Sequence, residues 1–375
     1  MAGQRRVLHV TAWIAAFSGL LITPARAAAA PEWTSTPVPA LQGLVVPTEV
    51  AAAGPHAVWT SGVEDATSSG TAFMLAWDGR GWRRQELPAP ESTTIMDIAA
   101  SGPRSAWAIG SKQTEEGGYR PVALHWDGTA WREVGYPDGV SPTIPLPSPS
   151  WQLEIASAAP DAPAWSIGYD EAAGESVALR FERGRWVRQN LPVKMDKALT
   201  VAVRSSRDVW IACICELPGE GPTQVMLHWD GVRWNTVRLP SSDDTQVLEI
   251  VPVSSSSVWA YRAGAGTNYP AVPDLLHWDG TDWSSTPIPV DTRAVHFPNL
   301  ADDGRGGALV AANTVDGDTN YLHYGDGEWT TESGPGRPGV GAWIYDIARV
   351  PGTRTIWSVG LVSPLSGPAL VERRR

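Results

Sequence analysis

The chain has 375 residues, 43% hydrophobic and 18% charged, which supports a sizeable core and excludes wholesale disorder. The formal net charge is −11 and no basic cluster precedes the terminal Arg373-Arg374-Arg375, so nucleic acid and anionic membrane surfaces are poor partners. With 37 Gly and 32 Pro the chain is turn-rich rather than helical, and its 20 Trp call for a structural explanation.

Residues 1–27 carry Arg5 and Arg6, then a mostly apolar stretch from Val7 to Ile22, then the small-x-small site Ala25-Arg26-Ala27. That is the pattern of a secretory signal peptide. His9, Thr11 and Ser18 interrupt the apolar run and Pro24 follows it, so a stable membrane span is not expected. The expected organisation is a signal peptide over 1–27 and one domain over 28–375, secreted to the extracellular space as a monomer with no membrane span after signal cleavage.

A unit of about 49 residues then recurs. Its opening run reads TEVAA from Thr48, MDIAA from Met96, LEIAS from Leu153, LTVAV from Leu199, LEIVP from Leu248, PNLAD from Pro298 and YDIAR from Tyr345. A second run follows: AVWTSG at Trp59, SAWAIG at Trp107, PAWSIG at Trp165, DVWIAC at Trp210, SVWAYR at Trp259, GALVAA at Leu309 and TIWSVG at Trp357. The third and fourth runs share one motif, LAWDGRGW from Leu75, LHWDGTAW from Leu124, LHWDGVRW from Leu227 and LHWDGTDW from Leu276, with degenerate copies at Leu179 and Leu322. Short aromatic and β-branched runs bounded by Gly, Pro and Asp read as strands, and Asp-Gly reads as a hairpin. Four antiparallel strands at this period make one propeller blade. The last unit stops at PALVERRR, one strand short, and WTSTPVP from Trp33 matches the fourth-strand segment WSSTPIP from Trp283. The expected fold is therefore all-β, a seven-bladed β-propeller of four-stranded antiparallel blades, the ring closed by the N-terminal strand completing the last blade. Pro37 and Pro287 place this fourth strand on the outer edge.

The VW-x-x-G and LHWDG-x-x-W motifs, spread over residues 33–373, resemble secreted bacterial β-propeller repeat proteins of the actinobacterial type. The Asp-Gly hairpin is loosely similar to the Asp-box turn of sialidase-like propellers, and kelch and galactose-oxidase-like propellers are more distant. The resemblance implies the fold and carries no activity.

Chemistry is sparser. His125, His228, His277 and His323 occupy one repeat position and read as structural; His56 lies in a turn. His296 is the candidate for a catalytic base. The aligned inner-strand position holds Glu49, Asp97, Glu154, Thr200, Glu249, Asn299 and Asp346, which either line a channel as a ligand-binding ring or accept blade-to-blade hydrogen bonds. Glu49, Asp97 and Glu154 are the candidate ligands for a hard cation such as Ca²⁺. Asp316-Gly317-Asp318-Thr319-Asn320 matches a calcium loop poorly and reads as a turn. Cys213 and Cys215 read as small buried residues, reduced, because extended geometry disfavours a mutual bridge. No nucleophile elbow, zinc-protease, P-loop or dinucleotide motif is present. The leading expectation is a binding or scaffold module for an extracellular glycan, small molecule or protein. The alternative is a propeller lyase or glycan-directed hydrolase at the channel mouth, with His296 between Glu249 and Asp346 and possible metal assistance.

Overall fold

In the regular LHWDG-x-x-W copies the Asp side chain builds the turn. Asp127 Oδ1 accepts the backbone N–H groups of Thr129 and Ala130 at 2.8 and 3.0 Å, and Gly128 sits at φ 94°, where an L side chain is strained. Trp126 is thereby set opposite Trp131, and Asp78, Asp230 and Asp279 do the same in their units. The degenerate copies turn instead on two residues of positive φ, Arg183-Gly184 and Asp326-Gly327. The computed structural model describes residues 32–375 except 68–69, 142, 145–149, 152–153, 158–161, 243–244, 265–272, 291–298, 314–317, 338–340 and 363–368. Among the described residues no helix is long and apolar enough to cross a membrane.

Strands Val46–Gly54, Ala57–Glu64, Thr71–Trp77 and Trp82–Gln85 pair antiparallel in chain order. The same order recurs in the sheets beginning at Thr93–Gly102, Thr245–Ser254 and Leu300–Asp302. A fifth sheet runs Ala342–Arg349, Ile356–Val362, Leu370–Arg374 and then Trp33–Ser35 from the other end of the chain. Successive inner strands touch, and Ala342–Arg349 returns to Val46–Gly54, so the chain is a β-propeller closed about one axis.

The expectation of seven separate four-stranded blades is overturned: five sheets have four strands. The third and fourth units share one nine-stranded sheet, because Ser176 of one pairs with Met195 of the other and Val140–Ser141 adds to the edge of Trp165–Asp170. Within the Pro-rich insertion, Thr143–Ile144 pairs with Ser150–Trp151, so Trp151 does not begin the inner strand, which is Glu154–Ala156.

The second-run tryptophans form the packing between sheets; Trp165, Trp210 and Trp357 are fully buried. His125, His228 and His277 lie over Trp107, Trp210 and Trp259 with ring centroids 4.2, 4.0 and 4.0 Å apart. Arg180 and Arg373 take the same place over Trp165 and Trp357. His228 Nε2 meets Asp208 Oδ1 at 3.0 Å and His323 Nε2 meets Asp303 Oδ2 at 2.8 Å. The repeated histidine is a packing device in the four units that carry it.

A second device is the glycine of the VW-x-x-G run. Inner strands carry a one-residue bulge at Thr48, Met96, Leu199, Leu248 and Tyr345. Just before it the inner backbone presses on the second strand. A Cβ at Gly62, Gly110 or Gly360 would collide with the carbonyl oxygen of Val46, Thr94 or Trp343 respectively. Gly110→Ala is therefore expected to destabilise the fold by roughly 2 kcal/mol or more, read from the urea midpoint. A midpoint that does not move would show that the bulge tolerates a side chain there.

Cys213 and Cys215 correct the second expectation. Both are fully buried on Asp208–Leu217 and are joined by a disulfide, their Cα atoms 5.6 Å apart. That separation lies within the roughly 4.4–6.8 Å that cystines span, which a strand reaches when its pleat is shortened locally.

Candidate functional site: an acid-lined axial cavity

Each bulge immediately precedes the aligned polar position of its inner strand. Bulges re-aim the side chain that follows, and here they turn Glu49, Asp97, Thr200, Glu249 and Asp346 to one axial cavity of about 550 Å³, which Glu154 of Glu154–Ala156 also lines. The bulge residues Thr48, Met96, Leu248 and Tyr345 line it too, and apolar residues such as Val50, Ile155 and Ile250 complete the wall. Three residues further along two adjacent inner strands, Asp302 Oδ1 and Arg349 Nε pair at 2.6 Å, also against the cavity.

The five carboxylates divide into two sets. Asp346 Oδ2 accepts the Val50 N–H at 2.7 Å, Asp97 Oδ2 accepts the Ile155 N–H at 2.7 Å, and Glu154 Oε2 accepts the Val201 N–H at 3.0 Å. In each case the acid of one inner strand holds an amide of the next, so these three stitch adjacent units while facing the cavity. Glu49 and Glu249 accept no hydrogen bond from any described residue. Asn299 turns to its own sheet, where its Oδ1 accepts the Ala311 N–H at 2.9 Å.

All five acids face the cavity and are part-buried, with most of their surroundings protein rather than solvent. Burial pushes Asp97 up to about 7 against the pull of its two amide partners. Burial, then repulsion from Asp97, raises Glu154 to about 8, and Asp346 reaches about 8 for the same two reasons. Glu49 and Glu249 rise well above the usual carboxylate range, again by burial first and then by their acidic neighbours, of which Asp346 weighs most. Each acid in such a set opposes the ionisation of the others, and a counter-charge in the cavity would relieve that repulsion.

Among the described residues no group of three His, Cys, Asp or Glu side chains is arranged to hold a metal ion, and Asp97 and Glu154 each commit an oxygen to a backbone amide. His296 lies outside the described residues. Of the calcium-like loop, Asp316 and Gly317 lie outside them too, while the Thr319 hydroxyl donates to Glu372 rather than facing an ion. Sequence reasoning missed the bulge residues and the Asp302–Arg349 pair. In three units the signal for the bulge was the VW-x-x-G glycine, Gly62, Gly110 or Gly360, whose missing Cβ makes room for it; the bulges at Leu199 and Leu248 form opposite units that carry Cys213 and Arg262 there.

No protein-family model matches the chain, and no curated protein matches it. Solved structures do. An oligogalacturonate lyase from Vibrio parahaemolyticus superposes with a TM-score of 0.55 at 6% identity, over 92% of this chain and 96% of that one. YCF48 bound to a D1 peptide superposes with a TM-score of 0.52 at 15% identity, over 91% and 96%. At these identities the likeness is one of fold.

Proposed function

We propose that the chain is an exported binding propeller whose axial cavity takes an organic cation, an amine or guanidinium group on a small molecule or a protein side chain. The observation that carries this reading is the pair Glu49 and Glu249, two carboxylates facing the cavity with no hydrogen-bond donor of their own. A cation between them supplies donors and the missing counter-charge together. The volume of about 550 Å³ suits a small organic group. YCF48, seen with a peptide, is a propeller of the same general kind acting as a binder. Export rests on the leader-like residues 1–27 and on the buried cystine, a bond that persists in oxidising compartments.

The test is calorimetric titration with agmatine, spermidine and Arg- or Lys-containing peptides. At least one is expected to bind, more tightly at pH 8.5 than at pH 6, because the acids must shed protons to receive it. Glu49→Gln with Glu249→Gln should weaken that binding about tenfold or more, the loss of one or two charge-assisted contacts. Binding that is indifferent to both pH and the double substitution would reject the site.

A further inference from the structure

We propose that the Cys213–Cys215 cystine is a redox-sensitive joint, which when oxidised holds the third and fourth units in one sheet and when reduced lets them part.

Strand pairing crosses from one unit to the next at a single described point, Ser176 with Met195. On its other side Met195 pairs with Cys215. The contact is reinforced by Ser176 Oγ, which accepts the Ala198 N–H at 2.9 Å. Both cysteines sit in the apolar cluster that the two units share, with Trp165, Ile167 and Ala178 from the third. Cys213 also stands where Gly62, Gly110 and Gly360 stand in their units.

The inner strand opposite the cystine differs from its counterparts. Lys194–Ser205 has the bulge at Leu199 and an additional one at Asp196, facing Ile214 and Cys215. The inner strands beginning at Thr93, Thr245 and Ala342 have no bulge at that place. The cystine shortens the middle strand in the sense that such a bulge accommodates. Positions two apart on an extended strand lie about 6.8 Å apart, and the cystine holds Cys213 and Cys215 at 5.6 Å. The middle strand advances less than its partner, the inner strand takes up the excess as a bulged Asp196, and Met195 is displaced toward Ser176.

Reduction by a dithiol transfers two electrons and two protons to the cystine, leaving two thiols and converting the dithiol to its disulfide. The middle strand then extends, the Asp196 bulge is no longer required, and Met195 leaves Ser176. The change reaches the axis, because the Val201 amide a few residues on is the donor to Glu154.

Hydrogen exchange read by mass spectrometry tests this on the whole folded chain, oxidised and after dithiothreitol, with alkylation counting thiols. Reduction is expected to speed exchange over residues 194–201 and at Ser176 about tenfold, leaving residues 93–113 unchanged. Cys213→Ala with Cys215→Ala should show the same local pattern without reductant. Unchanged exchange over residues 194–201 in both forms would overturn the joint. So would two alkylatable thiols in the untreated protein, or acceleration spread evenly over all sheets, which would make the cystine a general stabiliser.

Discussion

A chain beginning at residue 41 is expected to melt on the order of 10 °C below one beginning at residue 28, because the removed segment closes the ring. Trp33, Thr34 and Ser35 pair with Arg374, Arg373 and Glu372, and the Thr36 N–H donates to the Val371 carbonyl at 2.8 Å. Trp33 also grips the neighbouring sheet: its ring stacks on Tyr321 with centroids 3.6 Å apart, and its Nε1 donates to Glu332 Oε2 at 3.1 Å. Behind it the fully buried Glu372 accepts the Tyr321 hydroxyl at 2.6 Å and pairs with Arg337, which also reaches Ser35 Oγ. Deletion uncovers the edge of Leu370–Arg374 and opens this network to water. Losing one buried Trp costs about 3–5 kcal/mol, and a chain of this size shifts by roughly 2 °C per kcal/mol. Trp33→Ala alone should therefore recover about half or more of the shift, and the deleted chain should self-associate through its bare strand edge. An unaltered melting temperature after deletion would mean the ring does not depend on this closure.

Pairing of the two chain ends was readable because WTSTPVP repeats the pattern of WSSTPIP, and the Trp and Asp-Gly positions were readable because each unit reuses them. Such residues report geometry that is local to one unit. The joining of two units was not readable, since it depends on Met195 reaching Ser176, a displacement that no motif encodes. The cystine was misjudged for a related reason: an ideal strand keeps positions 213 and 215 too far apart, and the local shortening is a product of the fold. The channel acids were visible as an aligned column, but their division was not. Glu154 and Glu49 are each followed by a β-branched residue, yet only Glu154 has a neighbouring amide within reach. That difference comes from the placement of the adjoining inner strand, which lies a full unit away in sequence.

Melting temperature is expected to be highest near pH 5 and to fall by roughly 10 °C on raising the pH to 9. The five cavity acids titrate well above their unfolded values: Asp97 about 7, Glu154 and Asp346 about 8, Glu49 and Glu249 higher than their ordinary range. Between about pH 4, where unfolded carboxylates titrate, and pH 8, the folded chain thus binds more protons than the unfolded one. Their contribution is complete below pH 4 and is lost as pH rises through that window, at up to about 1.4 kcal/mol per pH unit for each fully protonated acid. Two groups of residues act in the opposite sense. His125 and His277 are held below their usual value by burial, so their contribution is lost as pH falls below about 6.5. Asp78, Asp230 and Asp279 are lowered to about 2 by turn amides, and their contribution is lost below about pH 4. Two histidines against five acids leave the acids dominant from pH 5 upward, and the turn aspartates place the maximum above pH 4. Glu49→Gln with Glu249→Gln removes the two acids that no amide offsets, so it should raise the melting temperature at pH 8.5 and leave it nearly unchanged at pH 5. Differential scanning calorimetry across pH 4–9 decides the matter: a melting temperature that is flat or rises from pH 5 to pH 9 would show that the cavity acids ionise freely and that the cavity needs no cation.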